Sequence, residues 1–286
     1  MSYDLTERRR NILKQLREQL GVDCVTSLVA SPYAESQQQF STTLQHVRDI
    51  PLIFNLLHKE YVICNEMLLL LNSYNSSIQF AEHLIKRLKS YGISSLYVGV
   101  LDSALSLSAL VPLISDKILL LPWSVIGTVD PYILPHTNFK EALLVKEAVE
   151  QTMASMPKEA GSGKGQVLYA LSVSGSLYEY VVSEKYIRYV ERLLYDFVKE
   201  RVSEEKFSEL IQRILIEPSI HDQPLTAKDL VEMLPYAQIT DGTTRMLMAD
   251  YFTLAVEGMR RNNQAVLIES MHYTYSVPVP TPVYTY

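Results

Sequence analysis

Positive charge is in short supply in this chain. Its 26 Lys and Arg stand against 32 Asp and Glu, a formal net charge of -6. The one cluster, Arg8-Arg9-Arg10, opens an amphipathic stretch and reads as a solvated helix face. Phosphate backbones need a basic surface, so nucleic acid is not an expected partner. Cysteine is scarcer still. The 2 present, Cys24 and Cys64, both sit in apolar, strand-like text, which favours buried reduced thiols over a disulfide or a metal site. Long hydrophobic runs are missing too. Met67–Leu71 and Ile118–Pro122 fall far short of the roughly 20 residues that cross a bilayer, so no membrane span is expected. The opening MSYDLTERRR has no apolar core of a secretory signal, and a cytoplasmic protein is the expectation. His46, His58, His83 and His272 are scattered without metal-ligand spacing, and neither metal nor cofactor is expected.

What is present suits a folded α/β protein. Hydrophobic residues make up 48% and charged residues 20% of 286 positions, enough for a large core. Leu5, Ile12, Leu13, Leu16 and Leu20 share a helical face that Gly21 can end, and 24–30 reads as a strand. A short helix is expected near 44–57. The continuous apolar run Met67–Leu71 is what a strand buried on both faces looks like. A helix over 81–88 ending at Gly92, a strand over 95–100, a helix over 104–114 and a strand over 118–121 follow. This β-α-β-α-β order implies right-handed crossovers and a parallel sheet, with ligands at the carboxyl ends of the strands. Asn72–Ser76 and Ser103–Ser108 are therefore the segments to watch.

From Phe139 onward the text is mostly helical. The expected helices are 184–202, 204–216, 227–234 and 243–259, with Ser203 and Thr226 as N-caps and Thr226–Asp229 as a capping box. Ala160-Gly-Ser-Gly-Lys-Gly165 lacks the spacing of a phosphate loop and reads as a linker. The expected layout is an α/β core over 1–159, a linker over 160–183, a helical C-terminal part of the same domain over 184–262, and an extended Pro/Tyr-rich tail over 263–286. Proline at alternate positions keeps the end of that tail out of a helix. It could dock on a neighbouring subunit or remain a free end.

Ala104-Leu-Ser-Leu-Ser-Ala-Leu-Val-Pro-Leu-Ile-Ser-Asp-Lys-Ile118 resembles the nucleophile helix of the serine dehydrogenase proteinase (SDH-type) family. That family belongs to the ClpP/crotonase-like superfamily and is related to signal peptide peptidase A. In an ungapped alignment the family's serine falls on Ser106 and its aspartate on Asp116. Ile126-Gly-Thr-Val-Asp-Pro131 is similar to the family's Gly-Pro-Val-Asp-Pro, and Ile220-His-Asp-Gln-Pro-Leu-Thr226 to its His-Asp-Tyr-Pro-Ile block. Ordered matches cover about 8–30, 64–140 and 184–240. The resemblance implies a ClpP/crotonase-like fold, with a parallel β-sheet core flanked by helices, plus a helical C-terminal region. It also implies a homo-oligomer and a peptide or protein substrate.

The same resemblance gives the candidate site. Ser106 would be the nucleophile. Lys140 or Lys146 would be the base in the manner of a Ser-Lys pair, desolvated so that it can surrender its proton, and His221 is the other candidate base. No histidine stands where a Clp-type triad would hold one. Backbone amides near Asn75, Ser76 and Leu107 would face the oxyanion. The family has glycines at Asn75, Ser76, Leu107 and Ser108. Losing an oxyanion donor costs about 10²–10³ in rate, so an oligomeric or peptide-binding pseudoenzyme is the competing expectation. A crotonase-like acyl-CoA enzyme would need an adenine or phosphate site, and none can be read.

Overall fold

The structure is a computed structural model and describes residues 2–32, 50–61, 63–74, 76–77, 79–129, 132–133, 140–154, 176–216 and 224–279. Helix α1 spans Ser2–Leu20 and stops at Gly21, whose φ of 66° suits a residue without Cβ. Strand β1 (Cys24–Ala30), helix α2 (Ile50–Glu60), strand β2 (Glu66–Ser73) and helix α3 (Phe80–Tyr91) follow. Gly92, with φ 99°, closes α3 and returns its N–H to Leu88 and Lys89 carbonyls. Then come β3 (Ser95–Ala104), a 3₁₀ turn (Ser106–Ala109), α4 (Leu110–Leu113), β4 (Lys117–Leu120) and β5 (Val125–Ile126). The second half holds β6 (Tyr132–Ile133), β7 (Lys140–Glu141), α5 (Ala142–Ala154), α6 (Ser176–Val198), α7 (Glu204–Ile211), β8 (Leu225–Thr226), α8 (Ala227–Met233), β9 (Ala237–Ile239), α9 (Gly242–Arg261), β10 (Gln264–Ser270) and β11 (Thr274–Pro278).

The main path of the central sheet runs β11-β10-β1-β2-β3-β4-β9. From β1 to β9 every pairing is parallel; β10 joins β1, and β11 joins β10, antiparallel. The expected mixed α/β architecture with a mostly parallel sheet between helices is what forms. The run Met67–Leu71 shows why. Met67, Leu69 and Leu71 enter the larger core with α2, α3 and α6, while Leu68 and Leu70 enter a second core against α1 and α9. A strand that must be apolar on both faces cannot alternate, and this one does not. The N-caps also form as read: Ser203 accepts from the Lys206 amide, and Thr226 with Asp229 completes a capping box.

Several expectations need correcting. Residues 264–278 are not a tail but the β10–β11 hairpin that completes one side of the sheet. Pro278 ends an edge strand, where its missing N–H costs no ladder bond. The arginine cluster is not a uniform solvated face: Arg8 is exposed, but Arg9 is 4% exposed and donates from Nε and Nη2 to the buried Glu269 at 2.8 and 2.9 Å. Helix α9 makes room for it at Gly258, where a Cβ would sit 2.6 Å from Arg9 Nη1. Finally, Cys24 and Cys64 form a disulfide with Cα atoms 5.7 Å apart, not two separate thiols. Parallel pairing of Cys24 with Met67 carries the segment before β2 past the start of β1. The expected helix of 184–202 begins earlier, at Ser176, and that of 104–114 is split into a 3₁₀ turn and one short helix. The linker residues 160–175 and the chain end 280–286 lie outside the described residues.

Candidate active site

The two segments singled out from the sequence lie side by side because Ser73 of β2 pairs with Ala104 of β3. The register shifts between Leu71 and Ser73, so β3 runs longer than the apolar text predicts. Just beyond it, the Leu105 amide donates to the Ser73 carbonyl at 2.9 Å. Leu105 is still extended, with φ -103° and ψ 159°. Ser106 then takes φ 52°, and the chain coils into the 3₁₀ turn and α4. Ser106 is thus a strained residue at the point where a strand reverses sharply into a helix. Left-handed backbone costs a non-glycine residue about 1–2 kcal/mol, and such strain collects at functional sites. Asn263 is the other described non-glycine residue with positive φ; it sits in the turn between α9 and β10, and asparagine tolerates that region better.

A serine relay fixes the turn. Ser73 Oγ donates to Ser108 Oγ at 2.8 Å, and Ser108 Oγ donates to the Leu105 carbonyl at 2.9 Å. Below it, the Gly127 amide donates to the Ala104 carbonyl at 2.8 Å. A Cβ at Gly127 would lie 3.0 Å from Leu105 Cα and 2.7 Å from its Cδ2. The glycine of the Ile126-Gly-Thr-Val-Asp-Pro block therefore lets the chain leaving β5 pass directly against Leu105. Val129 continues from there and donates its amide to the Ile214 carbonyl at 2.8 Å, within the π-helical turn Gln212–Ile216 that extends α7.

Asn72 holds three strand ends together, a role the sequence reading missed. Its Nδ2 donates to the Ala30 carbonyl at 3.0 Å, and its Oδ1 accepts from the Ser103 amide at 3.0 Å. The signal was available: a lone amide closing the run Leu68–Leu71, where a buried polar group must find partners. Beside these ends opens a cleft of about 550 Å³, with Pro32, Tyr74, Phe252 and Val256 on its wall and Asp102 and Glu257 among its polar groups. Asp102 accepts from Ser103 Oγ at 2.9 Å.

The remaining predicted residues fall as follows. Leu107 and Ser76 are described and buried, at 4% and 2% exposure. Leu107 lies in the first turn of the 3₁₀ segment, where backbone N–H groups lack partners within the helix. Neither Leu107 nor Ser108 takes a positive φ, so the family's glycines there are not needed for the backbone this chain adopts. Asn75 and His221 lie outside the described residues. Lys140 sits in β7, paired with Ile133, and its side chain is outside the description. Lys146, on α5, lies 3.9 Å from Glu150 and 3.6 Å from Glu184 of α6, an ammonium serving a contact between two helices. Asp116 is not near the Ser106 turn: its Oδ2 accepts from the Leu96 amide at 2.8 Å, at the opposite end of the strands.

One strongly shifted carboxylate flanks the site on the far side of β5. The Thr226 hydroxyl, at 2.5 Å, and then the Arg213 guanidinium, at 2.9 Å, pull the Asp229 pKa down to about 2. Hydrogen bonds and an opposite charge both favour the ionised form, and they outweigh partial burial here.

No protein-family model and no curated protein matches the chain. Among solved structures it is similar to a serine-to-alanine mutant of the 1510-N membrane-bound stomatin-specific protease, at 10% identity over 82% of this chain and 85% of that one, with a TM-score of 0.42. A lysine-to-alanine mutant of the same protease, in complex with a substrate peptide, gives 10% identity over 84% and 92%, with a TM-score of 0.41. A peptidase from Plasmodium falciparum gives 11% identity over 72% and 100%, with a TM-score of 0.35.

Proposed function

We propose that the chain is a serine peptidase-like hydrolase that works through an acyl-enzyme on Ser106. The observation that carries this reading is the positive φ of Ser106 at the carboxyl end of β3, opening a helix. A packing serine gains nothing from left-handed backbone, and strain of this kind collects at functional sites. In this reading Ser106 Oγ attacks the scissile carbonyl while a base removes its proton. The Leu107 amide stabilises the oxyanion, with Asn75 and Ser76 as the further amide donors that the resemblance implies. The base returns the proton to the leaving amine, and water then hydrolyses the ester.

Lys140 is the first choice of base, because it follows the Val129-Asp130-Pro131 block about where the lysine of the related signal peptide peptidase A branch would come. His221 is the second. Lys146 is the weakest, since its two carboxylate neighbours hold it in a helix contact. The reading includes a ClpP/crotonase-like homo-oligomer, a peptide substrate and a cytoplasmic setting. Incubation of the full chain with a peptide library should yield cleavage products that Ser106→Ala does not make; equal cleavage by both proteins overturns the assignment.

One observation favours the competing scaffold reading: Ser106 is only 1% exposed. A pseudoenzyme would bind peptides from the same library without cutting them, and Ser106→Ala would bind equally well.

A further inference from the structure

The arginine cluster leads to a second site, remote from the chemistry at Ser106 in its logic and tested independently of it. Arg9 turns inward to Glu269, whereas Arg10 lines a groove of about 450 Å³ between α1 and the turn after β10. Lys14, Arg17, Asn11, Glu7 and His272 line it too. Positions 10, 14 and 17 are spaced by four and three, which stacks three cations on one helix face. Like charges at that spacing cost a helix a few tenths of a kcal/mol, and among the described residues Glu7 is the one carboxylate lining the groove.

Among the described residues the cations are only partly compensated. Lys14 is exposed and has no ion-pair partner among the described residues. Arg17 is exposed, with its guanidinium 6.0 Å from the centre of the Tyr61 ring, and shares its charge with the Asp23 carboxylate, which the Asn65 and Glu66 amides also engage. The nearby Glu60 carboxylate is already occupied, accepting the amides of Met271 and His272 at 3.0 and 3.3 Å. Arg10 is the most telling. Its Nη2 donates to Thr274 Oγ1 at 3.1 Å, but its buried Nε has no hydrogen-bond partner among the described residues. A desolvated guanidinium donor without an acceptor is costly, and an anion in the groove offsets that cost through its charge.

We infer that this groove binds a small ligand carrying two or more phosphate groups. The row from Arg10 to Arg17 extends about 10 Å along the helix, wider than one phosphate and suited to several. The groove also has the volume of a small-molecule site rather than of a lone ion. A soluble polyphosphate and a phosphoinositide headgroup share this chemistry.

Titration calorimetry of the full chain with inorganic tripolyphosphate tests it, alongside flotation with phosphatidylcholine vesicles carrying phosphatidylinositol bisphosphate. Saturable one-site binding is expected, weakened about tenfold by Arg10→Gln and by Lys14→Gln, and tightened by Glu7→Gln. Arg87→Gln, an exposed cation on α3, should leave it unchanged. Lys14 is exposed, so its variant keeps the fold even if Arg10→Gln does not. Binding of tripolyphosphate marks a soluble ligand as the source, and binding of vesicles alone marks a headgroup; either supports the site provided Lys14→Gln weakens it. Absence of saturable binding to both probes overturns the inference, as does equal weakening by Arg87→Gln.

Discussion

Gly127 passes beneath Leu105 so closely that a methyl group there would lie 3.0 Å from the Leu105 Cα. Leu105 is the residue before Ser106, so the glycine just after β5 sets how the Ser106 turn sits on the sheet. Overpacking of this kind costs about 1–3 kcal/mol, and here a backbone atom has to move. Gly127→Ala should lower stability by that amount in urea unfolding. It should also lower turnover of a cleaved peptide far more than stability loss alone explains, because the turn carrying Ser106 is displaced.

The strain at Ser106 can be measured without reference to chemistry. Ser106→Gly and Ser106→Ala both delete the hydroxyl, but only glycine relaxes a φ of 52°. The glycine variant should be the more stable of the two by about 1 kcal/mol, despite the greater freedom glycine restores to the unfolded chain. The reverse order would mean that the turn is not left-handed in solution.

Arg9 and Glu269 are 260 positions apart in sequence and share a bidentate pair. Tyr251 Oη also donates to Glu269 at 3.1 Å, and Thr274 Oγ1 does so at 2.8 Å. Burial holds the Tyr251 phenol neutral, its pKa pushed well above 10.0. Truncating one partner leaves a charge stranded, so Arg9→Met alone should cost about 3–5 kcal/mol. Arg9→Met combined with Glu269→Leu should cost less than the two single changes added together.

Asp229 makes a pH-dependent contribution of definite sign. Its folded pKa, about 2, lies below the ordinary 3.8, so folding favours the carboxylate. Its stabilisation is complete above about pH 4 and is lost as pH falls toward 2. The stability gap between the native chain and Asp229→Asn should therefore be widest near neutrality and close by about pH 2. Urea unfolding at stepped pH reads it directly.

Much of this architecture is legible in local text. Met67–Leu71 announces a doubly buried strand, Gly92 a helix end, and Thr226 with Asp229 a capped start, because each depends on residues within one turn or one strand. The failures share a cause as well. Nothing near Arg9 says that Glu269 will receive it, and nothing near Cys24 says that Cys64 will lie beside it. The hairpin 264–278 is hidden by the prolines that follow it, although an edge strand tolerates Pro278. At the site, the resemblance singles out Ser106, but its left-handed backbone, the Ser73–Ser108 relay and the bridging Asn72 depend on how β2 and β3 end together.

The central claim is that Ser106 is a working nucleophile, and the most direct measurement is intact-mass analysis of the full chain after treatment with a fluorophosphonate. Addition of one phosphonyl group, mapped to Ser106 and absent in Ser106→Ala, is the expected result. An unmodified native chain, or equal modification of Ser106→Ala, contradicts it.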